Sequence, residues 1–271
     1  MSFAFGPALL FCPADRPDRY GTALDRADAV ILDLEDAVAP AARPAARAAL
    51  AATPLDPARV IVRVNETGSA DQGEDLAAVR STGYGTVMVP KADARLDDAA
   101  FAGLEVVALC ETAAGVLDAR ALADRQGVIA LMWGAEDLVA SLGGTSSRDA
   151  TGAYRDVARH ARSSILLAAG AAGIAAIDTV HLDIADLDGL AAEAEDAAAV
   201  GFAATACIHP SHVEVIRRAY APTEAQVADA RRIVDAAREQ GGVFRLDGRM
   251  VDGPVVRHAE SVLRRAGARV E

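Results

Sequence analysis

Aromatic residues are scarce in this chain of 271 residues, at 4% of the total, although 52% of the residues are hydrophobic. Few rings are therefore available to stack on nucleic acid bases. Positive charge is also in deficit, since 27 lysines and arginines face 39 aspartates and glutamates and the net charge is −12. Both shortages argue against a nucleic acid or an anionic membrane as a partner.

Cysteine is rare too, and Cys12, Cys110 and Cys207 lie far apart without a C-x-x-C pair. We expect reduced thiols in a protein core rather than a disulfide framework. The N-terminus lacks a basic segment followed by a long apolar one, and no run approaches the roughly 18 apolar residues of a membrane span. We therefore expect a soluble protein located in the cytoplasm.

Short β-branched runs alternate with longer alanine-rich runs. Several short runs are apolar throughout, which is typical of parallel strands buried on both faces. Eight such runs with helices between them predict an α/β fold, a (β/α)8 TIM barrel over residues 1–220, in which the fourth helix at 97–102 is the weakest. A doubly wound open sheet is the alternative, but the glycine-rich turn it needs after the first strand is missing. The strands are predicted at 9–13, 29–36, 60–65, 86–91, 106–112, 128–134, 176–183 and 204–210.

Residues 221–271 form a C-terminal extension with the periodicity of two helices, predicted at 224–239 and 255–266. The extension contains few residues for a core of its own, so we expect it to pack on another surface. Between its helices lies the stretch GRMVDGP, which includes Asp252. From periodicity alone, Asp252 is an ordinary turn aspartate.

Ionisable residues follow the apolar part of nearly every predicted strand. The active site of a parallel barrel forms at the carboxyl ends of its strands, so these groups would gather at one mouth. Such a concentration of charge is costly for a purely structural barrel but suits a metal and an anionic substrate. The residues are Asp33, Glu35, Asp36, Arg63, Asn65, Lys91, Glu111, Thr112, Glu136, Asp137, Asp183 and His209.

Glu111 and Asp137 stand at the ends of adjacent predicted strands and can reach one point above the barrel. Two carboxylates without a nearby cysteine or histidine cluster suit a cation that prefers oxygen ligands, Mg²⁺ or Mn²⁺. Two solvated loop acids are the alternative interpretation. Gly134 and Ala135 favour the binding site, because they leave room for backbone N–H groups to approach a ligand carboxylate.

The remaining candidates have two interpretations each. Arg63 is either a clamp on a substrate carboxylate or part of an ion pair at the barrel bottom. Lys91 contacts substrate or forms the Schiff base of a metal-free aldolase. Glu35 and Asp36 order metal-bound waters and Arg63, or lie at a helix N-terminus. His209 is more often a packed or capping histidine than a catalytic one, although its neighbourhood could contact a cofactor.

Taken together, the motifs resemble those of citrate lyase β-subunit-like proteins of the HpcH/HpaI aldolase superfamily, alongside malyl-CoA and citramalyl-CoA lyases. The motifs occur in order over nearly the whole chain: LFCPADRP, ILDLEDAV, VRVN, VPK, ETAAGV, WGAEDL, IHPS and RMVDGP. The resemblance implies a (β/α)8 barrel, usually a homotrimer. It also implies that Mg²⁺ is used to cleave or form a carbon–carbon bond between an acyl thioester and a 2-oxo acid such as oxaloacetate, pyruvate or glyoxylate.

The resemblance further implies roles for individual residues. Glu111 of the ET motif and Asp137 of the ED motif would bind Mg²⁺. Arg63 would contact the substrate carboxylate and the developing enolate. Asp252 would be a catalytic acid/base that the C-terminal extension of one subunit supplies to a neighbouring subunit.

Contact with CoA is the least specific part of the resemblance, and Arg16 and His209 are the candidates for it. The first strand reads FCPADRP, with Arg16 in it, where many relatives have a Val-Pro-Gly turn. The leading function is a Mg²⁺-dependent lyase of a 3-hydroxyacyl-CoA such as citramalyl-CoA or malyl-CoA. The alternatives are a citrate lyase β subunit that acts on an acyl-carrier-protein thioester in a complex, and a non-catalytic protein that binds an oxo acid and CoA.

Overall fold

Eight parallel strands close into a barrel in the computed structural model, which describes residues 3–267. The strands pair in chain order, and the last strand pairs with the first. The predicted (β/α)8 barrel is thereby confirmed, and the open sheet is excluded. The strands are β1 (Ala8–Pro13), β2 (Ala29–Asp33), β3 (Val60–Arg63), β4 (Thr86–Val89), β5 (Glu105–Cys110), β6 (Val128–Trp133), β7 (Ala175–Asp178) and β8 (Ala204–Cys207).

Helices surround the barrel and follow the alanine-rich runs. They are α1 (Pro17–Arg26), α2 (Arg43–Ala52), α3 (Gln72–Arg80), α4 (Ala113–Ala123), α5 (Ala135–Ser141), α6 (Asp156–Ala172), α7 (Leu187–Val200) and α8 (Pro210–Tyr220). Local chemistry fixes several ends: Asp186 caps α7 by accepting from the Gly189 N–H at 2.9 Å, and Gly173 ends α6 with φ of 70°.

The weak helix predicted at 97–102 is wrong, since the connection from β4 to β5 is built from turns. Asp97 accepts a hydrogen bond from the Ala99 N–H at 3.0 Å, which offers the backbone an alternative to a helix. Arg125 also donates to the Ala94 carbonyl at 2.7 Å. These local bonds satisfy backbone groups of the segment without a helical ladder.

Apolar side chains fill the barrel interior. The buried cluster takes residues from all eight strands and from the segment before β1: Phe5, Leu9, Ala29, Ile31, Ile61, Met88, Val107, Leu109, Ala130, Met132, Ile177, Ala204 and Ala206. Most strands end two or more residues before their predicted ends, because the chain leaves the barrel wall as soon as this core is complete. Asp33 and Arg63 are the last residues of their strands, while most of the other predicted polar residues lie in the loops that follow. Asp183 is exposed, and the buried acid that ends β7 is Asp178.

A second compact unit begins at Arg217, close to the boundary predicted after residue 220. Its helices α9 (Glu224–Gln240) and α10 (Gly253–Arg265) share a small core of Ala230, Val234, Ala259 and Leu263. The packing of this unit on a neighbouring subunit stays a prediction.

The connector between these helices contains an antiparallel hairpin that sequence reasoning missed, formed by β9 (Phe244–Leu246) and β10 (Arg249–Val251). Its turn residues Asp247 and Gly248 have φ of 49° and 79°. Positive φ at both turn positions is typical of a type I′ hairpin, for which Asp-Gly is a strong sequence signal. That dipeptide could have predicted the hairpin.

The three cysteines are buried thiols rather than members of disulfides, as expected. Within residues 3–267, the helices are all too short or too polar to cross a membrane.

Candidate active site

A cavity of about 400 Å³ opens at the carboxyl ends of the barrel strands. Its volume lies within the range of small-molecule sites, roughly 300–1,000 Å³. Apolar side chains form much of its wall, and the charged groups come from the ends of β2 and β3 and from loops at the same end of the barrel. The lining residues are Phe11, Pro13, Asp33, Asp36, Ala37, Arg63, Leu109, Glu111, Met132, Gly134, Ala135, Glu136, Asp137, Arg148, Tyr154, Thr179, Val180, Leu182 and Ile208.

Arg63 is held between two acids. Its Nε and Nη2 donate to Asp33 Oδ1 at 2.7 Å and Oδ2 at 2.6 Å, and its Nη1 lies 3.1 Å from Glu35 Oε2. Burial is the largest single effect and lowers the pKa of Arg63, but the hydrogen bonds to Asp33 and the charges of Asp33, Glu35 and Glu111 together raise it by more, so the guanidinium stays charged. Arg63 therefore presents a fixed and partly neutralised positive charge to the cavity, rather than a free clamp.

Sequence reasoning noted Asp33 as a strand-end acid but missed it as the partner of Arg63. The two residues are register partners on β2 and β3. Opposite charges at the ends of two consecutive strands could have suggested the pair, because adjacent parallel strands bring such residues side by side.

Lys91 follows β4 with a strained backbone, since its φ of 50° is uncommon for a residue with a side chain. This conformation lets its N–H donate to Glu111 Oε1 at 3.0 Å, while its Nζ donates to Glu35 Oε1 at 2.5 Å. Burial is the largest single effect and lowers the pKa of Lys91, but the hydrogen bond to Glu35 and the charges of Glu35, Asp36 and Glu111 together raise it by more. A Schiff-base lysine needs a lowered pKa, so the structure argues against the metal-free aldolase.

Glu111 and Asp137 both line the cavity, and Glu111 is 3% exposed. Burial and then the charge of Asp137 raise the pKa of Glu111 to about 8. A cation bound between the two carboxylates would favour the charged form of Glu111.

Gly134 makes room for this pair. A Cβ at that position would lie 2.9 Å from both Cβ and Oε2 of Glu111. Such distances are shorter than van der Waals contact allows, so a side chain at position 134 would displace Glu111. The glycine of the WGAED motif is therefore required by the position of Glu111.

The donor set fits Mg²⁺, which binds one or two carboxylates and keeps several waters. Within residues 3–267, no group of three or more histidine, cysteine or acidic side chains is arranged to hold a metal. The remaining ligands of an ion at Glu111 and Asp137 would therefore be water or substrate. Glu35 Oε2 supports this fit, because it is buried and accepts no hydrogen bond from any described residue, which suits an ordered water.

The other predicted residues have different positions. Asp36 is exposed in the turn after β2 and lines the cavity. Ala135, the first residue of α5, lines the cavity too. Arg16 donates to Asp18 at 2.9 and 2.8 Å on the surface, and His209 lies 2.7 Å from the Ser211 hydroxyl at the start of α8. Arg16 and His209 are not part of the cavity lining, so contact with CoA stays a prediction.

Asp252 belongs to the second unit, where it is the N-cap of α10. Its Oδ1 accepts from the Val255 N–H at 3.3 Å, and Pro254 lies in the first turn of the helix. The structure thus gives Asp252 a local role. A catalytic role in a neighbouring subunit stays a prediction.

Arg148 and Tyr154 line the cavity and were missed by sequence reasoning. They pair across an isolated bridge in the loop between α5 and α6, with the Arg148 guanidinium 3.8 Å from the centre of the Tyr154 ring. Nothing in the local sequence indicates that this loop reaches the barrel mouth.

The sequence of this chain is similar to those of known proteins along most of its length. A family model described as HpcH/HpaI aldolase/citrate lyase matches residues 8–210. The chain belongs to this family. A citrate lyase subunit beta-like protein of Mycobacterium tuberculosis is 57% identical over 97% of both chains. The mitochondrial citramalyl-CoA lyase of Rattus norvegicus is 28% identical over 88% of this chain and 79% of its own.

Solved structures of CitE from Mycobacterium tuberculosis share the fold. The complex with magnesium, acetoacetate and coenzyme A has a TM-score of 0.92 and 57% identity over 97% of this chain and 98% of its own. The complex with magnesium and pyruvate has a TM-score of 0.84 and 53% identity over 96% and 98%. The complex with oxaloacetate and magnesium, described as the citrate lyase β subunit, has a TM-score of 0.78 and 58% identity over 80% and 97%. Membership of the family confirms the expected class of enzyme, a lyase.

Proposed function

We propose that this member of the HpcH/HpaI family is a Mg²⁺-dependent carbon–carbon lyase. It cleaves a 3-hydroxyacyl-CoA such as citramalyl-CoA or malyl-CoA to acetyl-CoA and a 2-oxo acid, or catalyses the reverse condensation. We further propose that it acts in the cytoplasm as a homotrimer, in which Asp252 serves a neighbouring subunit.

The observation that carries the proposal is the acid pair at the barrel mouth, in which Glu111 is buried and Asp137 is partly exposed. Glu111 and Asp137 line one cavity with Arg63, and the pKa of Glu111 is raised to about 8 by burial and by Asp137. A barrel that needed no cation would gain little from two such carboxylates next to each other. The magnesium complexes of the CitE relatives support the same assignment.

Each residue would contribute a simple step. Bound Mg²⁺ would supply Lewis acid chemistry at the substrate carboxylate and its adjacent oxygen. Cleavage breaks the bond between C2 and C3. The hydroxyl proton passes to solvent water, C3 becomes the carbonyl carbon of the 2-oxo acid, and the electron pair of the broken bond remains on the thioester fragment as an enolate. The fixed charge of Arg63 would stabilise this enolate, because its guanidinium is largely buried and is held in place by Asp33. Asp252 would then protonate the methylene carbon to give acetyl-CoA.

Lyase activity of the purified chain on free CoA esters tests the proposal. Straight and branched 3-hydroxyacyl-CoA esters are incubated with Mg²⁺, and the products are identified by mass spectrometry. Activity only on an acyl-carrier-protein thioester with partner subunits would favour the citrate lyase β subunit instead. Binding of Mg²⁺ and oxaloacetate without turnover of any thioester would indicate the non-catalytic protein.

Asp252→Asn tests the acid/base role with little cost to folding, because asparagine is as good an N-cap as aspartate. We expect turnover to fall roughly 10²- to 10⁴-fold, the usual contribution of a general acid/base, with Mg²⁺ and oxo-acid binding unchanged. Unchanged turnover would contradict the role. Mixing this variant with Glu111→Gln chains should restore part of the activity if Asp252 acts in trans. No recovery despite demonstrated subunit exchange would rule out sharing.

A further inference from the structure

Two cationic side chains of the described residues line the cavity, Arg63 and Arg148. They differ in how far their hydrogen-bonding capacity is used. Arg63 is committed to Asp33 through two bonds and also faces Glu35. Of the two arginines, Arg148 is therefore better able to bind a further anionic group of the ligand.

The arrangement of Arg148 leaves one edge of its guanidinium open. Its Nη1 donates to Glu193 Oε1 at 2.5 Å and to the Gly152 carbonyl at 2.8 Å. No residue between 3 and 267 accepts a hydrogen bond from its Nε or Nη2. These two nitrogens form the planar edge that matches a carboxylate with two parallel hydrogen bonds.

Packing holds this open edge in place. The guanidinium carbon lies 3.8 Å from the centre of the Tyr154 ring, and that ring makes an edge contact with buried Trp133 at 5.3 Å between centroids. Trp133 Nε1 in turn donates to Asp178 Oδ1 at 2.5 Å. A side chain stacked in this way loses little freedom when it binds a ligand.

Nearby acids only partly neutralise Arg148. Glu193 is shared, since its Oε2 lies 2.8 Å from His181 Nδ1 while Oε1 accepts from Arg148. Glu136 also acts electrostatically on Arg148, but its Oε1 accepts a hydrogen bond from the Ser147 hydroxyl. An added carboxylate at the open edge would therefore meet a positive group with hydrogen-bonding capacity to spare.

We propose that Arg148 binds the second carboxylate of a dicarboxylic 2-oxo acid and makes the site select such an acid over a monocarboxylic one. The inference rests on the proposed function, in which the carboxylate next to the reacting carbon lies at Glu111 and Asp137. Arg148 lines the same cavity as this acid pair, so one small ligand can meet both. Arg148 is thus a specificity-determining residue, separate from the groups that perform the chemistry.

The test compares the binding of freshly prepared oxaloacetate and pyruvate, each with saturating Mg²⁺, by titration calorimetry. Arg148→Gln should weaken oxaloacetate binding roughly 10- to 100-fold, the contribution of hydrogen bonds between charged groups, and pyruvate binding by less than about 2-fold. Arg120→Gln is the matched control, because Arg120 forms an exposed ion pair with Asp124 on α4. The control should change neither affinity.

Glu193→Gln separates selectivity from a purely structural role. The amide keeps an acceptor for Arg148 Nη1 but removes the charge that partly neutralises it, so oxaloacetate binding should tighten several-fold relative to pyruvate binding. If Arg148 served only to fix the loop through Glu193, both variants would weaken the two acids together.

Parallel changes for both acids, or no change in Arg148→Gln, would overturn the assignment. The proposed function would still stand in that case if the wild-type chain binds both acids with Mg²⁺ and cleaves a CoA ester. If the wild-type chain binds neither acid in the presence of Mg²⁺, the proposed function fails, and the role of Arg148 fails with it.

Discussion

Replacing Gly134 by alanine should weaken Mg²⁺ binding by displacing Glu111. The new Cβ would lie 2.9 Å from Glu111 Cβ and Oε2. That separation is about 0.6 Å shorter than the optimal contact of ~3.5 Å between carbon atoms. A rotation of the glutamate side chain could relieve the clash with Oε2 but not the clash with Cβ. The backbone at one of the two positions must therefore shift.

The expected loss can be estimated from this shift. A displaced metal ligand should cost roughly 10- to 100-fold in Mg²⁺ affinity, as disturbed outer-shell contacts do. The overpacking itself should cost about 1–3 kcal/mol of unfolding free energy. Calorimetric titration of Mg²⁺ in the presence of pyruvate measures the first quantity, and denaturant unfolding in EDTA measures the second.

Gly170→Ala in α6 is the control for this experiment. No heavy atom lies within 4 Å of the added Cβ, and the position is helical, so the change should stabilise the fold by about 0.5–1 kcal/mol and leave Mg²⁺ binding unaltered. Wild-type Mg²⁺ affinity in Gly134→Ala would refute the reasoning, because Glu111 could then not be both clashing with the alanine and binding the ion.

Two further predictions concern groups outside the acid pair. Asp75→Ala should lower the unfolding free energy by about 3–5 kcal/mol, because Asp75 is fully buried and its removal leaves buried donors without an acceptor. Its carboxylate accepts hydrogen bonds from Arg47 Nε at 2.6 Å and from Asn65 N and Nδ2 at 2.8 and 2.7 Å. A loss below about 1 kcal/mol in denaturant unfolding would contradict this prediction. The hydrogen bond to Glu193 raises the pKa of His181 above its usual 6.5. Protonated His181 therefore stabilises the fold fully below about pH 6.5, and this stabilisation is lost as the pH rises through the raised pKa of the folded state. An NMR titration of the ring should show a lower pKa in Glu193→Gln, and an unshifted value would disprove the coupling.

Much of the barrel could be predicted from local patterns. The uniformly apolar runs indicate strands buried on both faces, and the alanine-rich run at 187–200 forms helix α7. The ends of strands could not be predicted as well. Glu35 and Glu111 directly follow buried apolar residues in the sequence, but whether such a residue continues the strand depends on pairing with a neighbouring strand.

The proximity of Glu111 and Asp137 could be predicted from the order of the strands. Glu111 and Asp137 follow consecutive strands, and parallel strands bring their carboxyl ends to one edge. The constraint from Gly134 was not predictable, since it depends on a 2.9 Å approach that only the folded loops create. The N-cap role of Asp252 could have been predicted from the sequence, because an aspartate before Gly-Pro and an apolar run is a recognisable helix start.

The sequence by itself determined the alternation of strands and helices, and with it the barrel and the identity of the charged groups at its mouth. Backbone geometry makes these features local, since a strand or helix is encoded in the spacing of its own apolar residues. Only the tertiary structure decided which charges meet. The bonds of Arg63 with Asp33, of Lys91 with Glu35 and of Arg148 with Glu193 join residues 30, 56 and 45 positions apart. Such contacts follow from strand register and from loop paths across the barrel mouth, which no local pattern records.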